Sequence, residues 1–145
     1  MKQKSSISEN RIWVIVNYAS LVAALVFFYT GRYYQWSVTF ISLTSVFATL
    51  FVISFIQAFI KTRFWKMVHT SYSNLDEREK QVVLNSLRYS YSIFAILCIV
   101  IMYVFAVVNI RPFDVLLAGT MLYLAHTLPG AIVGWREKPI TDGNE

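Results

Sequence analysis

The chain has 145 residues, of which 57% are hydrophobic and 17% aromatic, while Asp, Glu, Lys and Arg together make up only 14%, against about 25% in a typical globular chain. Thirteen basic and eight acidic side chains leave a net charge of +5, and residues 12–31, 33–60, 89–110 and 115–135 contain no charge at all. Each window reaches the roughly 20 helical residues that cross a bilayer core of about 30 Å, so a water-soluble fold, a disulfide-stapled secreted scaffold and a disordered tail are excluded.

The fold class expected is all-α: a polytopic membrane protein whose residues 1–145 form one four-helix transmembrane domain. The spans are read at about 12–30, 37–60, 91–108 and 115–134, in two hairpins. A cytoplasmic segment, 61–90, carries an amphipathic helix that leads into the third span. The first span follows a basic stretch, as in a signal peptide, but its apolar run continues through Phe27, Phe28 and Tyr29 without a small-residue cleavage pattern; it is read as uncleaved. Along it Ser20, Ala24 and Gly31 share a face, with Asn17 nearby as a helix-contact or ligand candidate. On the second span Ser42, Ser45 and Thr49 align, and on the third Ala95, Cys98, Met102 and Ala106. Small and hydroxyl side chains let helices approach closely in lipid, so these stripes are expected at helix contacts.

All four tryptophans, Trp13, Trp36, Trp65 and Trp135, fall at span ends, with Tyr33, Tyr34, Tyr89 and Tyr91 near them. Their rings suit the headgroup zone, where one edge is apolar and the other hydrogen-bonds. The connections Gly31–Trp36 and Asn109–Asp114 are short, with Gly31 and Pro112 as helix breakers. With the N-terminus cytoplasmic, eleven of the thirteen Lys and Arg residues lie inside and only Arg32 and Arg111 outside, the bias that the positive-inside rule produces. Both termini are therefore placed in the cytoplasm. The basic excess is explained by topology, and nucleic acid is not expected as a partner. Cys98 is the only cysteine and is read as a packing residue.

The connector between spans 2 and 3 opens with Lys61, Arg63 and Lys66 around Phe64 and Trp65, a stop-transfer anchor. Three charges fall short of the four to eight that mark anionic-lipid binding. Ser73 with Asp76, or Asn74 with Glu77, fits a capping box, and no Gly or Pro follows until Pro112. Helix is therefore expected to run from Leu75 directly into the third span. Leu75, Val82, Val83 and Leu87 cluster on one broad face and are the partner-facing candidates, suited to the bilayer surface, the protein's own bundle or another protein. The box Leu75-Asp76-Glu77-Arg78-Glu79, followed by Val82, Leu84, Tyr89 and an apolar span, resembles small prokaryotic membrane proteins that carry an Asp-Glu-Arg-Glu element before a transmembrane helix. That resemblance implies a prokaryotic inner-membrane location and supplies no activity.

Inside the membrane windows only His126 titrates near neutrality. Pro129 lacks an N–H, which frees the carbonyl of Ala125 and is expected to kink the helix, with Thr127 helping to resatisfy the backbone. At 100° per residue Gly119, Tyr123, His126, Gly130 and Gly134 share a face, so His126, Thr127, Pro129, Gly130 and Gly134 are the ligand or helix-contact candidates of span 4. Two readings remain open: a ligand, proton or ion site, or a structural histidine bonded to a neighbouring span. His69 is read as a loop residue. The two histidines stand 57 positions apart and could share a metal or haem only if the tertiary fold brought them together. No metal-binding spacing, nucleophile motif or phosphate loop is present, so neither cofactor, metal nor enzymatic activity is expected. The expected function is a non-enzymatic accessory, regulatory or immunity-type subunit that meets the lipid bilayer and a membrane or cytoplasmic protein, or itself, through helix packing. The alternative is a small oligomeric transporter or channel using His126 and the bend at Pro129.

Overall fold

The structure, a computed structural model, describes residues 2–62, 64–108 and 114–136. The breaker expected at Pro112 and the basic side chains of Arg63, Arg111 and Lys138 lie outside the described residues. All regular structure in the described residues is helical. Helix α1 spans Lys2–Tyr33, and α2 spans Val38–Phe55 and is extended by a π turn over Ile56–Ile60. The short α3 (Phe64–His69) and a 3-10 turn (Tyr72–Asn74) precede α4 (Glu77–Val108), and α5 covers Val115–Arg136. Four segments are long and apolar enough to cross a membrane: Glu9–Tyr33, Val38–Ile60, Glu77–Val107 and Val115–Arg136. By contact the helices group into two compact units, one of α1 and α2 with its π turn, the other of α3, α4 and α5.

In the first unit the small and polar stripe of α1 is buried at Asn17, Ser20 and Gly31. The Asn17 amide donates from Nδ2 to the carbonyl of Phe51 (3.1 Å) and to Ser54 Oγ (3.2 Å) on α2. Phe27 stacks on Phe47 with ring centroids 5.4 Å apart. The hydroxyl stripe expected at the helix contact of α2 is instead exposed: Ser42, Ser45 and Thr49 all face outward. Ser45 and Thr49 donate to the carbonyls of Ile41 and Ser45 in their own helix. A hydroxyl satisfied in this way makes no demand on a neighbour, so ring bulk decides which side of α2 meets α1.

Gly31 also differs from its expected role. It lies within α1, and the chain reverses about one turn later at Gln35 and Trp36, which take φ of 59° and 55°. The Trp36 N–H donates to the Gly31 carbonyl (2.7 Å), closing the helix end. A Cβ on Gly31 would stand 3.0 Å from Phe40 Cβ and 3.2 Å from the Trp36 ring. Glycine is required here for close approach, not as a breaker.

In the second unit α4 runs unbroken for 32 residues, about 48 Å at 1.5 Å per residue, as the absence of Gly and Pro leads one to expect. Its N-cap is displaced from the expected register. Asp76 Oδ1 accepts from the Glu79 N–H (2.6 Å), and Glu79 Oε2 accepts from the Asp76 N–H (3.2 Å). The reciprocal box is therefore Asp76 with Glu79, because Tyr72–Asn74 are already committed to a 3-10 turn. Asp114 caps α5 in the same manner, its Oδ1 accepting from the Leu117 N–H (3.0 Å).

A core of Phe64, Met67, Leu75, Val83 and Val133 joins α3, α4 and α5, with Val68 and Val82 packed against it. The buried edge of α4 continues through Ser86 and Ser90 to the half-buried Phe94, Leu97, Ile101 and Phe105. Met102 and Ala106, expected on the packing stripe, are exposed; the larger Leu, Ile and Phe side chains fill that contact. At one end the Arg136 guanidinium lies over the Tyr89 ring, 4.3 Å from its centroid, so Tyr89 on α4 and the last residue of α5 stand at one level.

Candidate functional site

The residues singled out on α5 separate into two groups. Thr127, Pro129, Gly130 and Gly134 are buried, with Thr120, Ala131 and Val133, whereas His126 is exposed and Gly119 has nothing within 4 Å of a Cβ position. The buried stripe runs along Thr120, Thr127, Ala131 and Gly134; of the expected face, Gly130 and Gly134 are buried and Tyr123 is half-buried, while Gly119 and His126 are exposed. The Thr120 and Thr127 hydroxyls donate to the carbonyls of Leu116 and Tyr123, both at 2.9 Å. Satisfied within the helix, the two threonines pack as small apolar residues. Helix α5 remains continuous through Pro129, and Thr127 covers the carbonyl of Tyr123 rather than the one freed at Ala125.

His126 makes its hydrogen bond within its own helix, Nδ1 to the Leu122 carbonyl at 2.9 Å, not to a neighbouring span. Its aromatic neighbour is His69, whose ring centroid lies 6.2 Å away with the two planes 5° from parallel. His69 is therefore not a loop residue: it ends α3, which packs on α5. The local cause is a one-turn aromatic pair. The Trp65 ring stacks on the His69 ring with centroids 4.1 Å apart, and His69 Nδ1 meets the Trp65 carbonyl at 2.8 Å. The i, i+4 spacing of Trp65 and His69 was the sequence signal for this pair, and the exposed basic residues around it obscured it.

Both histidines thus have the same local design. A carbonyl can only accept, so in each ring Nδ1 is the donor of this bond and Nε2 points away from it. Neither ring makes a further hydrogen bond among the described residues. No third histidine, cysteine or carboxylate joins them, since the described residues contain no group of three such side chains placed for a metal ion.

Asn17 is a helix contact in the first unit and is fully buried, as described above. Of the partner-facing candidates, Leu75 and Val83 are buried in the protein's own core and Val82 packs against it, leaving Leu87 exposed. Of the settings that suit this face, the protein's own bundle is the one observed, because α3 supplies Phe64 and Met67 to cover it. Comparison of the chain with protein-family models, with curated proteins and with solved structures returns no match.

Proposed function

We propose that this protein is a non-enzymatic accessory or regulatory subunit of a prokaryotic inner membrane, with immunity-type proteins among the roles that fit, and that it acts by packing its spans against another membrane protein or a second copy. In this reading the four spans form two hairpins with both termini cytoplasmic, and the first turns of α4 extend into the cytoplasm. The observation that carries it is how little of the apolar helix surface the chain itself covers. Only 6% of the most apolar window is buried in Val38–Ile60 and in Glu77–Val107. On these surfaces the Ser45, Thr49 and Ser92 hydroxyls donate to carbonyls of their own helices, so they do not resist lipid or a neighbouring helix. The level of Tyr89, Trp135 and Arg136 suits the headgroup zone, which leaves Glu77–Arg88, about 18 Å of helix, beyond it.

The test is photo-crosslinking in native membranes from positions Val46 on α2 and Leu87 on α4, both exposed. A discrete crosslinked protein, or a crosslinked dimer, supports the reading. A chain that crosslinks only to lipid from both positions refutes it. The second reading, a small oligomeric transporter or channel, draws on the exposed His126 and the hydroxyl edge Ser42, Ser45 and Thr49. It requires a symmetric oligomer with those residues reachable by water-soluble reagents.

A further inference from the structure

We propose that Arg136, Tyr89 and Arg88 form a binding site for the phosphate headgroup of an anionic membrane phospholipid, at the end where α4 and α5 leave the apolar length. The site lies wholly within the second unit and rests on the placement of that level in the headgroup zone. The Arg136 guanidinium lies over the Tyr89 ring, 4.3 Å from its centroid. The charge meets the π face of the ring, a contact that supplies no oxygen acceptor for the guanidinium fork. Arg136 makes no hydrogen bond or ion pair among the described residues. The Tyr89 hydroxyl and the Arg88 guanidinium, next to each other on α4 and both exposed, are equally without a partner there. Ten N–H groups on two guanidiniums and one phenol O–H therefore stand at one level with nothing to donate to.

The surroundings select an anion, and a lipid one. Helix α5 carries no Asp or Glu, and α4 carries none after Glu79, which is about 15 Å from Tyr89 along the axis. Glu137 follows Arg136 in the sequence and lies outside the described residues. One turn to either side on α4, the exposed Asn85 and Ser92 are neutral. A guanidinium fork matches two phosphate oxygens at once, and basic sites between spans on the cytoplasmic side hold anionic headgroups. What marks the occupant as a lipid is the face of α4 that leads away from Tyr89. Ile93, Ile96 and Val100 follow it at helical spacing, and all three are exposed. From Tyr89 to Val100 is about 16 Å, close to the roughly 15 Å of one leaflet's hydrocarbon. A headgroup on the guanidiniums thus has an apolar track beside it for an acyl chain. The carbonyl end of α5 repels an anion, so binding depends most on Arg136, which offsets that end.

The experiment uses the full-length protein in detergent, with bound lipid counted by native mass spectrometry. It is titrated with dioleoylphosphatidylglycerol, with dioleoylphosphatidylcholine and with glycerol phosphate, the headgroup without its chains. The expected result is saturable binding of phosphatidylglycerol, at least about 10-fold tighter than phosphatidylcholine, with no binding of glycerol phosphate at the same concentrations. Arg88→Gln should weaken it about 5-fold, the effect of one basic residue at an anionic surface. Arg136→Gln should weaken it at least about 10-fold, and Arg136→Lys, which keeps the charge but loses the fork, should restore only part of the loss. Lys61→Gln, an exposed basic residue of the first unit, should change affinity less than about 2-fold. Both arginine side chains are exposed, so the variants should keep their helical content by circular dichroism, which is measured in parallel. Equal binding of the two lipids, a preference that survives Arg136→Gln, full affinity in Arg136→Lys, or an equal loss in Lys61→Gln would each overturn the site. Glycerol phosphate bound as tightly as the lipid would overturn the assignment of a lipid. Crosslinking from Val46 and Leu87 reads out on other residues, so the failure of the functional reading and the failure of this site are separate results.

Discussion

Replacing Asn17 by Ala perturbs a polar bridge between α1 and α2. The fully buried Asn17 side chain gives its amide to the Phe51 carbonyl and the Ser54 hydroxyl. Interhelical hydrogen bonds in membrane proteins average about 0.6 kcal/mol and reach about 1.7 kcal/mol. The low end applies to the partners left behind, because Ser54 Oγ donates to the Phe51 carbonyl (2.9 Å) with or without Asn17, and neither is stranded. The truncation also empties roughly 30 Å³ of a fully buried site, which adds about 0.7 kcal/mol at about 24 cal/mol per Å³. The expected loss is therefore about 1.3–2.4 kcal/mol, measured by steric trapping or reversible unfolding in mixed micelles. A double-mutant cycle with Ser54→Ala isolates the bridge and should return a coupling of about 0.6 kcal/mol or somewhat more. A loss below about 0.5 kcal/mol together with a coupling inside the additivity error of about 0.3 kcal/mol would refute the claim that this amide fastens the two helices.

Three further pairs of substitutions follow from the same structure. Asp76→Ala should cost about 1 kcal/mol and speed hydrogen exchange in the first turn of α4, while Ser73→Ala should leave both unchanged, because Asp76 and Glu79 form the capping box. Gly119→Ala should raise thermal stability by up to about 1 kcal/mol, since helix propensity is gained in open space. Gly31→Ala gains the same propensity but places Cβ 3.0 Å from Phe40 Cβ, and its melting temperature should fall. Val83→Asp should unfold the second unit, a loss above about 4 kcal/mol for an unpaired charge in the core, whereas Leu87→Asp on the exposed side should stay within about 0.5 kcal/mol; equal effects of the two would contradict the orientation of α4.

The sequence by itself determined the number and approximate limits of the apolar helices. Absence of charge over a bilayer's length is a property of contiguous residues, and so is the lack of any Gly or Pro that carries α4 from Glu77 to Val108. The stripe of Asn17, Ser20 and Gly31 was legible for a related reason: a buried amide in an apolar helix has few alternatives to a neighbouring helix. Rotation about each helix axis was not legible. The Ser42–Ser45–Thr49 edge and the Thr120–Thr127 edge carry the same residue types, yet one is exposed and the other buried. Hydroxyls that bond to their own helix can tolerate either side, so bulk at the facing positions makes the choice. Only the tertiary structure decided that Phe64 and Met67 cover Leu75 and Val83. Only it placed His69 beside His126, because two rings separated by 57 residues meet through the packing of α3 on α5, and a six-residue helix stabilised by that packing leaves no periodic pattern long enough to read.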